Sequence, residues 1–287
     1  MSLSNPLDSR MQLGAELRRL RHEQGLTIRE VARFLDSSQA RLSRVETGKL
    51  TGAVLKPFEL RSLLAELFHV QDQGEVERLL GLLSETEQTA WWEPYEDVLP
   101  SGMDSVLGLQ TAARRERALE ILRIHALLQT DDYFRALLTE AGTHSPSAIE
   151  RLTDLRRRRT EVLHRAGDPL ELEVVLDEAA LRRPVGSPEA MRKQLEAIEQ
   201  TVQELPNVTV LVVPFGTGAH AGMTGGFSLF EIGQQPTIVH VDSPAGTLLL
   251  HGERDVQELT GVYERVRAKA LGPEESLDLI GRAVCYL

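Results

Sequence analysis

The sequence predicts a chain in two parts: a small all-α head of about five helices, then a mixed α/β body of the α+β kind. Three observations carry this expectation. At 287 residues the chain is long enough for about two domains of ordinary size. Apolar residues recur at helical spacing through residues 1–83. Beyond them, alternating and continuous apolar runs of strand length fall among helical stretches. With 41% hydrophobic and 26% charged residues there is enough apolar surface for cores, which excludes wholesale disorder. No apolar run approaches the roughly 18 residues of a membrane helix. The first residues, MSLSNPLDSR, lack the basic-then-apolar order of a secretory leader. The single cysteine, Cys285, excludes an internal disulfide and a cysteine-type zinc site. A cytoplasmic protein with no membrane partner and no cofactor is expected.

In the head, Leu13, Leu17 and Leu20 give helix one an apolar stripe, and Gly25 supplies its stop. Thr27 stands three before Glu30, the signature of a capping box. Ile28, Val31, Ala32 and Leu35 line helix two. Asp36 and Ser37 make a short turn, Ser38 caps helix three, Leu42 and Val45 turn inward, and Gly48 ends it. Over 53–83, Leu60, Leu63, Leu64 and Leu67 mark one helical stripe, and Val76, Leu79, Leu80 and Leu83 another. Residues 84–104 are polar, hold two prolines and a Trp91–Trp92 pair, and read as a linker that docks through those tryptophans. The expected division is therefore 1–83, 84–104 and 105–287.

In the body, 105–118 and 131–141 read as helices with a short strand near Leu119–Ile124 between them. A helix over 146–165 carries Arg156, Arg157, Arg158 and Arg159. Leu170, Leu172, Val174 and Leu176 alternate with mostly acidic residues, as in a half-buried strand. A helix follows over 187–204. NVTVLVVPF is apolar on both faces, as in a central strand. GGFSLFEI and PTIVHVD read as strands, 216–226 as a glycine-rich loop, and the last two helices carry Val256, Leu259, Tyr263, Val266 and Ala270, then 274–283 behind Pro273.

Charge is uneven. Residues 1–50 hold nine basic and six acidic side chains, although the whole chain is −11. That asymmetry suits an anion-binding head on an acidic body. Two short helices, a tight turn and a capped third helix form helix-turn-helix geometry. The outward face of helix three combines Gln39, Ala40, Arg41, Ser43 and Arg44. Glutamine can read adenine and arginine guanine in the major groove. The amide ends at Thr27 and Ser38 suit phosphate oxygens. Arg29 and Arg33 on helix two, and Lys49 just past helix three, are candidates for phosphate contacts at the flanks.

RRLRHEQGLTIREVARFL followed by SSQARLSRVETGK resembles the Xre/lambda-repressor-like helix-turn-helix family. The resemblance implies an ion pair between an arginine late in helix one and a glutamate closing helix three, the places of Arg21 and Glu46. Ile28 stands where the family usually has glutamine, so one customary phosphate contact is not implied.

The body holds fragments that resemble enzyme motifs only in part. His220, His240 and His251 would have to converge to hold a metal, and no metal site is expected. PFGTGAHAGMTGG lacks the lysine of a phosphate loop and does not open a helix as a dinucleotide fingerprint does. Asp177 and Glu178 could form a carboxylate pair without a substrate frame, and Ser228 has no nucleophile elbow. LLQTDDYFRALL, VVLDEAALRRPVG, NVTVLVVPFGTGAHAG, GGFSLFEI and ALGPEESLDLI resemble a domain found behind Xre-type heads in filamentous actinobacteria such as Streptomyces, as in the WhiJ-type developmental regulators. HALLQT stands where that family usually has PGLLQT. The resemblance implies a transcription regulator, commonly a repressor of differentiation genes. Its body would bind a small partner protein encoded nearby or a small-molecule effector.

The expected function is thus a sequence-specific, non-enzymatic DNA-binding regulator. Its partners are a double-stranded operator and a second copy of itself, and it is cytoplasmic and nucleoid-associated. An antitoxin-like protein that neutralises a small partner, and an enzyme tethered to DNA by its head, are the alternatives.

Overall fold

A computed structural model describes residues 6–48, 54–86, 90–233, 236–243 and 246–284. The chain divides into two compact units, Met1–Glu93 and Pro94–Leu287.

The first unit is all helical among its described residues. It comprises α1 (Pro6–Glu23), α2 (Ile28–Phe34), α3 (Gln39–Glu46), α4 (Pro57–Ser62) and α5 (Gln73–Glu85), with a π-turn over Leu63–Leu67 prolonging α4. Leu13, Leu17 and Leu20 of α1 are buried with Val31, Ala32, Leu42 and Val45, then Leu60, Leu63, Leu64, Leu79 and Leu83. Each such aliphatic side chain contributes about 1.5–3 kcal/mol by leaving water. The ends are specified locally. At α2, Thr27 Oγ1 accepts the Glu30 amide and the Glu30 carboxylate accepts the Thr27 amide, which completes the capping box. At α3, Ser38 Oγ accepts the Arg41 amide at 3.1 Å. Gly14 has a different reason to be glycine: a Cβ there would collide with the Val45 carbonyl oxygen. Only a residue without a side chain lets α1 approach the end of α3 this closely.

Among the described residues after α5 the chain makes a 3₁₀ turn, Glu93–Tyr95. Trp91 and Trp92 are both buried, and their rings meet edge to face at 5.6 Å. Tyr95, which opens the second unit's side of that turn, donates its hydroxyl to Asp154.

The second unit is a mixed sheet flanked by helices. Its elements are α6 (Met103–Ala112), β1 (Arg115–Glu120), α7 (Asp131–Ala141), α8 (Pro146–Arg159), β2 (Glu171–Asp177), α9 (Glu178–Arg182), α10 (Pro188–Glu204), β3 (Val208–Val213), β4 (Phe227–Glu231), β5 (Ile238–Ser243), β6 (Gly246–Leu250), α11 (Glu253–Arg267) and α12 (Pro273–Val284). The sheet order is β3-β2-β1-β4-β5-β6. β1, β2 and β3 are parallel, and β4, β5 and β6 add antiparallel pairs. One face carries Leu119, Val175, Leu211, Leu229 and Val239 against Tyr263 and Val266 of α11.

Several expectations for the body are corrected here. The helix expected over 105–118 stops at Ala112, and the strand expected at Leu119–Ile124 occupies Arg115–Glu120. RERALE is built from helix formers, and propensity yields to the pairing of β1 with β2 and β4. The strand expected to be half-buried, β2, is buried from Leu172 to Leu176. It lies inside the sheet, and its acidic Glu173 is neutralised internally. The apolar β3, expected to be central, is an edge strand. Its outer edge is closed: Val212 donates its amide to Ser276 Oγ at 3.0 Å and accepts from the Leu271 amide at 2.8 Å. Covering an edge with a helix terminus satisfies the backbone that a neighbouring strand would have paired. β6 had no counterpart in the sequence reading.

Candidate nucleic-acid interface

α2 and α3 are joined by Leu35–Ser38, and the turn is tight because Asp36 takes a left-handed φ of 45°. The Ser37 amide then reaches back to the Ala32 carbonyl at 2.8 Å. Leu42, Val45 and Glu46 point inward. Helical geometry consequently sends the other face out: Gln39, Ala40, Ser43 and Arg44 are all exposed. Gln39 with Ser43, and Ala40 with Arg44, form two adjacent rows at i,i+4 spacing. The rise from Gln39 to Arg44 is about 7.5 Å at 1.5 Å per residue.

Arg21 of α1 fixes the frame behind that face. Its Nε and Nη2 donate to the two carboxylate oxygens of Glu46 at 2.7 and 2.8 Å. Its Nη1 donates to the Leu26 carbonyl at 3.0 Å. Both residues are under a tenth exposed, Arg21 at 9% and Glu46 at 8%. The hydrogen bonds to Glu46 hold the guanidinium pKa above its ordinary value. A bidentate pair of this kind sets an angle as well as a distance, so α3 is held against α1 and the loop leading into α2.

Arg41 behaves differently from its neighbours. It is only half-exposed, and its guanidinium donates to Ser37 Oγ at 3.3 Å and to the Val54 carbonyl at 3.2 Å. It ties the turn and the segment after α3 to the helix. Sequence spacing placed it on the outer face but carried no sign of the carbonyl that draws it sideways.

The two candidate phosphate-binding ends also differ. At α2 the capping carboxylate of Glu30 already accepts from the Thr27 amide and from Thr27 Oγ1, both at 2.7 Å. That amide bond holds the carboxyl below its usual range, so a negative charge occupies this helix end. The first turn of α3 has no acidic residue, and its dipole is open to an incoming anion. Thr27, Arg29 and Ser38 are exposed. Among the described residues neither Arg29 nor Arg44 forms an ion pair. Lys49 lies outside the described residues, as does Cys285.

In the second unit the histidines of the sequence reading do not converge. His220 Nε2 lies 2.9 Å from Asp177 Oδ2, and His240 Nε2 lies 3.0 Å from Asp242 Oδ1. Asp177 caps α9 through the Ala179 amide. Its neighbour Glu178 accepts from Arg182 and from the Phe215 amide. Among the described residues no three His, Cys, Asp or Glu side chains are placed to share a metal ion. No described helix is long and apolar enough to cross a membrane. The basic run on α8 is used internally: Arg156 and Arg157 grip Asp131, and Arg158 stacks over Tyr95.

No curated protein and no solved structure matches the chain. Residues 12–80 match a family described as a helix-turn-helix domain, the span that holds α2, α3 and the Arg21–Glu46 pair. That match supports a DNA-binding regulator. Residues 103–282 match the family described as a domain of unknown function, DUF5753. With the larger part of its length inside that match, the chain belongs to the DUF5753 family and carries a helix-turn-helix domain at its N-terminal end.

Proposed function

We propose that this chain is a sequence-specific transcription regulator of the Xre/WhiJ type. It acts as a repressor of developmental genes in the cytoplasm, associated with the nucleoid, and performs no catalysis. The observation that carries the reading is the outer face of α3. Gln39, Ala40, Ser43 and Arg44 are exposed together behind an uncharged helix end. Gln39 and Arg44 read bases, Ala40 and Ser43 give close approach, and the α3 amides with Arg29 and Lys49 hold phosphates. Thr27 plays a weaker part, because Glu30 competes for its amide. Arg41 braces the reading helix through Val54. A homodimer places two heads on two half-sites, and its affinity gains from the second contact. The body takes a small partner protein or a small-molecule effector.

The test is binding to an operator selected from genomic fragments, compared with a scrambled duplex across a salt series. Gln39→Ala and Arg44→Ala are expected to cost about 1–3 kcal/mol each on the operator. Gln39→Ala costs less on scrambled DNA, because an uncharged side chain adds little to counterion release. Lys49→Ala weakens both duplexes alike and lowers the salt slope by about one unit. Equal losses for Gln39→Ala and Lys49→Ala on both duplexes would remove α3 as the reading element.

A further inference from the structure

In the body, part of the sheet face opposite Tyr263 carries charge beside the buried hydrocarbon of Leu172, Val174, Leu176 and Phe230. Strand alternation puts Glu116, Ala118 and Glu120 of β1 on that face. Ser228 lies opposite Ala118, His240 lies opposite Ser228, and Asp242 follows His240 on the same face. The inner end of this cluster is closed. Glu116, 1% exposed, accepts from Gln110 Nε2 at 2.7 Å and meets His125 Nε2 at 3.1 Å. The outer end meets solvent: Arg123 donates to Asp242 at 2.5 Å, and His240 holds the other Asp242 oxygen.

Two groups remain between these ends. Glu120 is 16% exposed at its side chain, and its nearest cation, Arg123, is 3.8 Å away. Among the described residues its carboxylate accepts no hydrogen bond. Arg159 is half-buried. Its Nε donates to Gln110 Oε1, and its Nη1 lies 3.9 Å from the Met103 sulfur. Among the described residues it makes no ion pair. It sits in the field of Glu116, Asp242, Arg123 and Glu120. Burial pushes the Glu120 carboxyl up and the Arg159 guanidinium down.

Pairing Glu116 with His125, and Asp242 with Arg123 and His240, leaves Glu120 with only its 3.8 Å contact to Arg123 and leaves the Arg159 guanidinium with no ion pair among the described residues. They are opposite in sign, reached by solvent and not joined to each other. Enclosing charges without a hydrogen-bonded counter-ion is costly, and such groups cluster where a ligand supplies one. The position agrees. β1, β2 and β3 run parallel and end at Glu120, Asp177 and Val213, and the crevice beyond the carboxyl ends of parallel strands is where open α/β sheets take ligands.

We propose that this charged cluster binds a small zwitterion, its carboxylate on Arg159 and its ammonium group on Glu120. An anion alone leaves Glu120 without a hydrogen-bonded counter-ion, and a cation alone leaves Arg159 so. The inference rests on the reading of the body as an effector-loaded domain, and it names the chemistry of that effector.

The test titrates the full-length protein calorimetrically with glycine, 4-aminobutanoate and 6-aminohexanoate, a series of increasing charge separation. Hexanoate and hexylammonium are the single-charge controls. At least one zwitterion is expected to saturate the protein about tenfold or more tighter than either control. Glu120→Gln and Arg159→Gln each weaken it by about tenfold or more, the loss of one charge-assisted contact, and Arg159→Lys weakens it less than Arg159→Gln. Thermal melts establish that each variant folds. If Arg159→Gln does not, the isosteric Glu120→Gln decides alone. Absence of saturation by every zwitterion, equal binding of hexanoate, or wild-type affinity in Glu120→Gln overturns the proposal. Selection of a specific duplex by the same unliganded preparation is measured in parallel. Duplex selection without zwitterion binding removes the zwitterion site and leaves the regulator standing. Zwitterion binding without duplex selection does the reverse.

Discussion

Two arginine–glutamate couples, one in each unit, show what completeness means for a buried charge. In the head, Arg21 and Glu46 meet through two hydrogen bonds, and Arg21 Nη1 donates to the Leu26 carbonyl. In the body, Arg159 of α8 and Glu120 of β1 belong to one charged cluster and form no ion pair with each other among the described residues. The first couple satisfies itself, so its role ends at holding α3 against α1. The second leaves Arg159 with a neutral partner, Gln110, and Glu120 with only the 3.8 Å contact to Arg123, and in the proposal above a ligand completes both. The difference lies in partners: both couples are largely enclosed, but only one is closed.

The closed couple is where the largest effect is expected. Arg21→Ala or Glu46→Ala alone strands a desolvated charge and is expected to lower stability by about 3–5 kcal/mol, whereas the double variant recovers part of that loss. Denaturant unfolding of the three variants checks it. Strict additivity of the single losses would show that the couple does not act as a unit.

A second closed group sharpens the contrast from within the body. Glu173 accepts from Tyr263 Oη at 2.9 Å and from Arg267 at 2.9 and 3.1 Å. Tyr263→Phe removes one of three donors and leaves the ring in place. The expected loss is about 0.5–1.5 kcal/mol, read as a lower unfolding midpoint at unchanged slope. A loss near zero would place Glu173 with the open kind.

The two units were unequally legible in the sequence for the same reason that their polar groups differ. The head is written in local signals: Thr27–Glu30, Ser38, Gly25 and the leucine spacing of α1 each act within four residues. Helices and their caps can be read at that range. Gly14 was missed, because its reason is the Val45 carbonyl on another helix. In the body the elements were mostly visible, but the sheet order was not. Nothing in NVTVLVVPF says that its outer edge is closed by Leu271 and Ser276 rather than by a strand. Residues 115–118 of β1 read as helix because RERALE carries its strand identity in pairing with residues 171–176 and 227–231. The outer face of α3 was legible as a pattern; the diversion of Arg41 to Val54 was not. Arg159 was visible only as part of the basic run on its helix, and Glu120 and Arg123 gave no signal, since the three come together only when β1 and the end of α8 are in place.

The smallest effect is the most diagnostic for the open couple, and it is a slope rather than a loss. Glu173 is the reference. Burial raises its carboxyl, but the hydrogen bonds from Arg267 and Tyr263 outweigh burial and hold it below the usual range. Its contribution is therefore present above the unfolded value of about 4.3 and lost as pH falls through the folded value. Glu120 runs the other way. Burial holds its carboxyl above the usual range, so the folded protein binds that proton more tightly than the unfolded chain does. The stability it contributes is complete below about pH 4.3 and disappears as pH rises through its folded value. Glu120→Gln keeps the shape of the protonated form and cannot ionise. At acid pH the variant is expected to match the wild type within about 0.5 kcal/mol. As pH rises toward neutrality, its unfolding midpoint should climb relative to the wild type and then level off. Because every other titrating group is common to both proteins, the difference isolates this one carboxyl. A difference that is flat, or that falls with rising pH, would mean that Glu120 has a closer partner in solution than its 3.8 Å contact with Arg123, and that the body's couple is as closed as the head's.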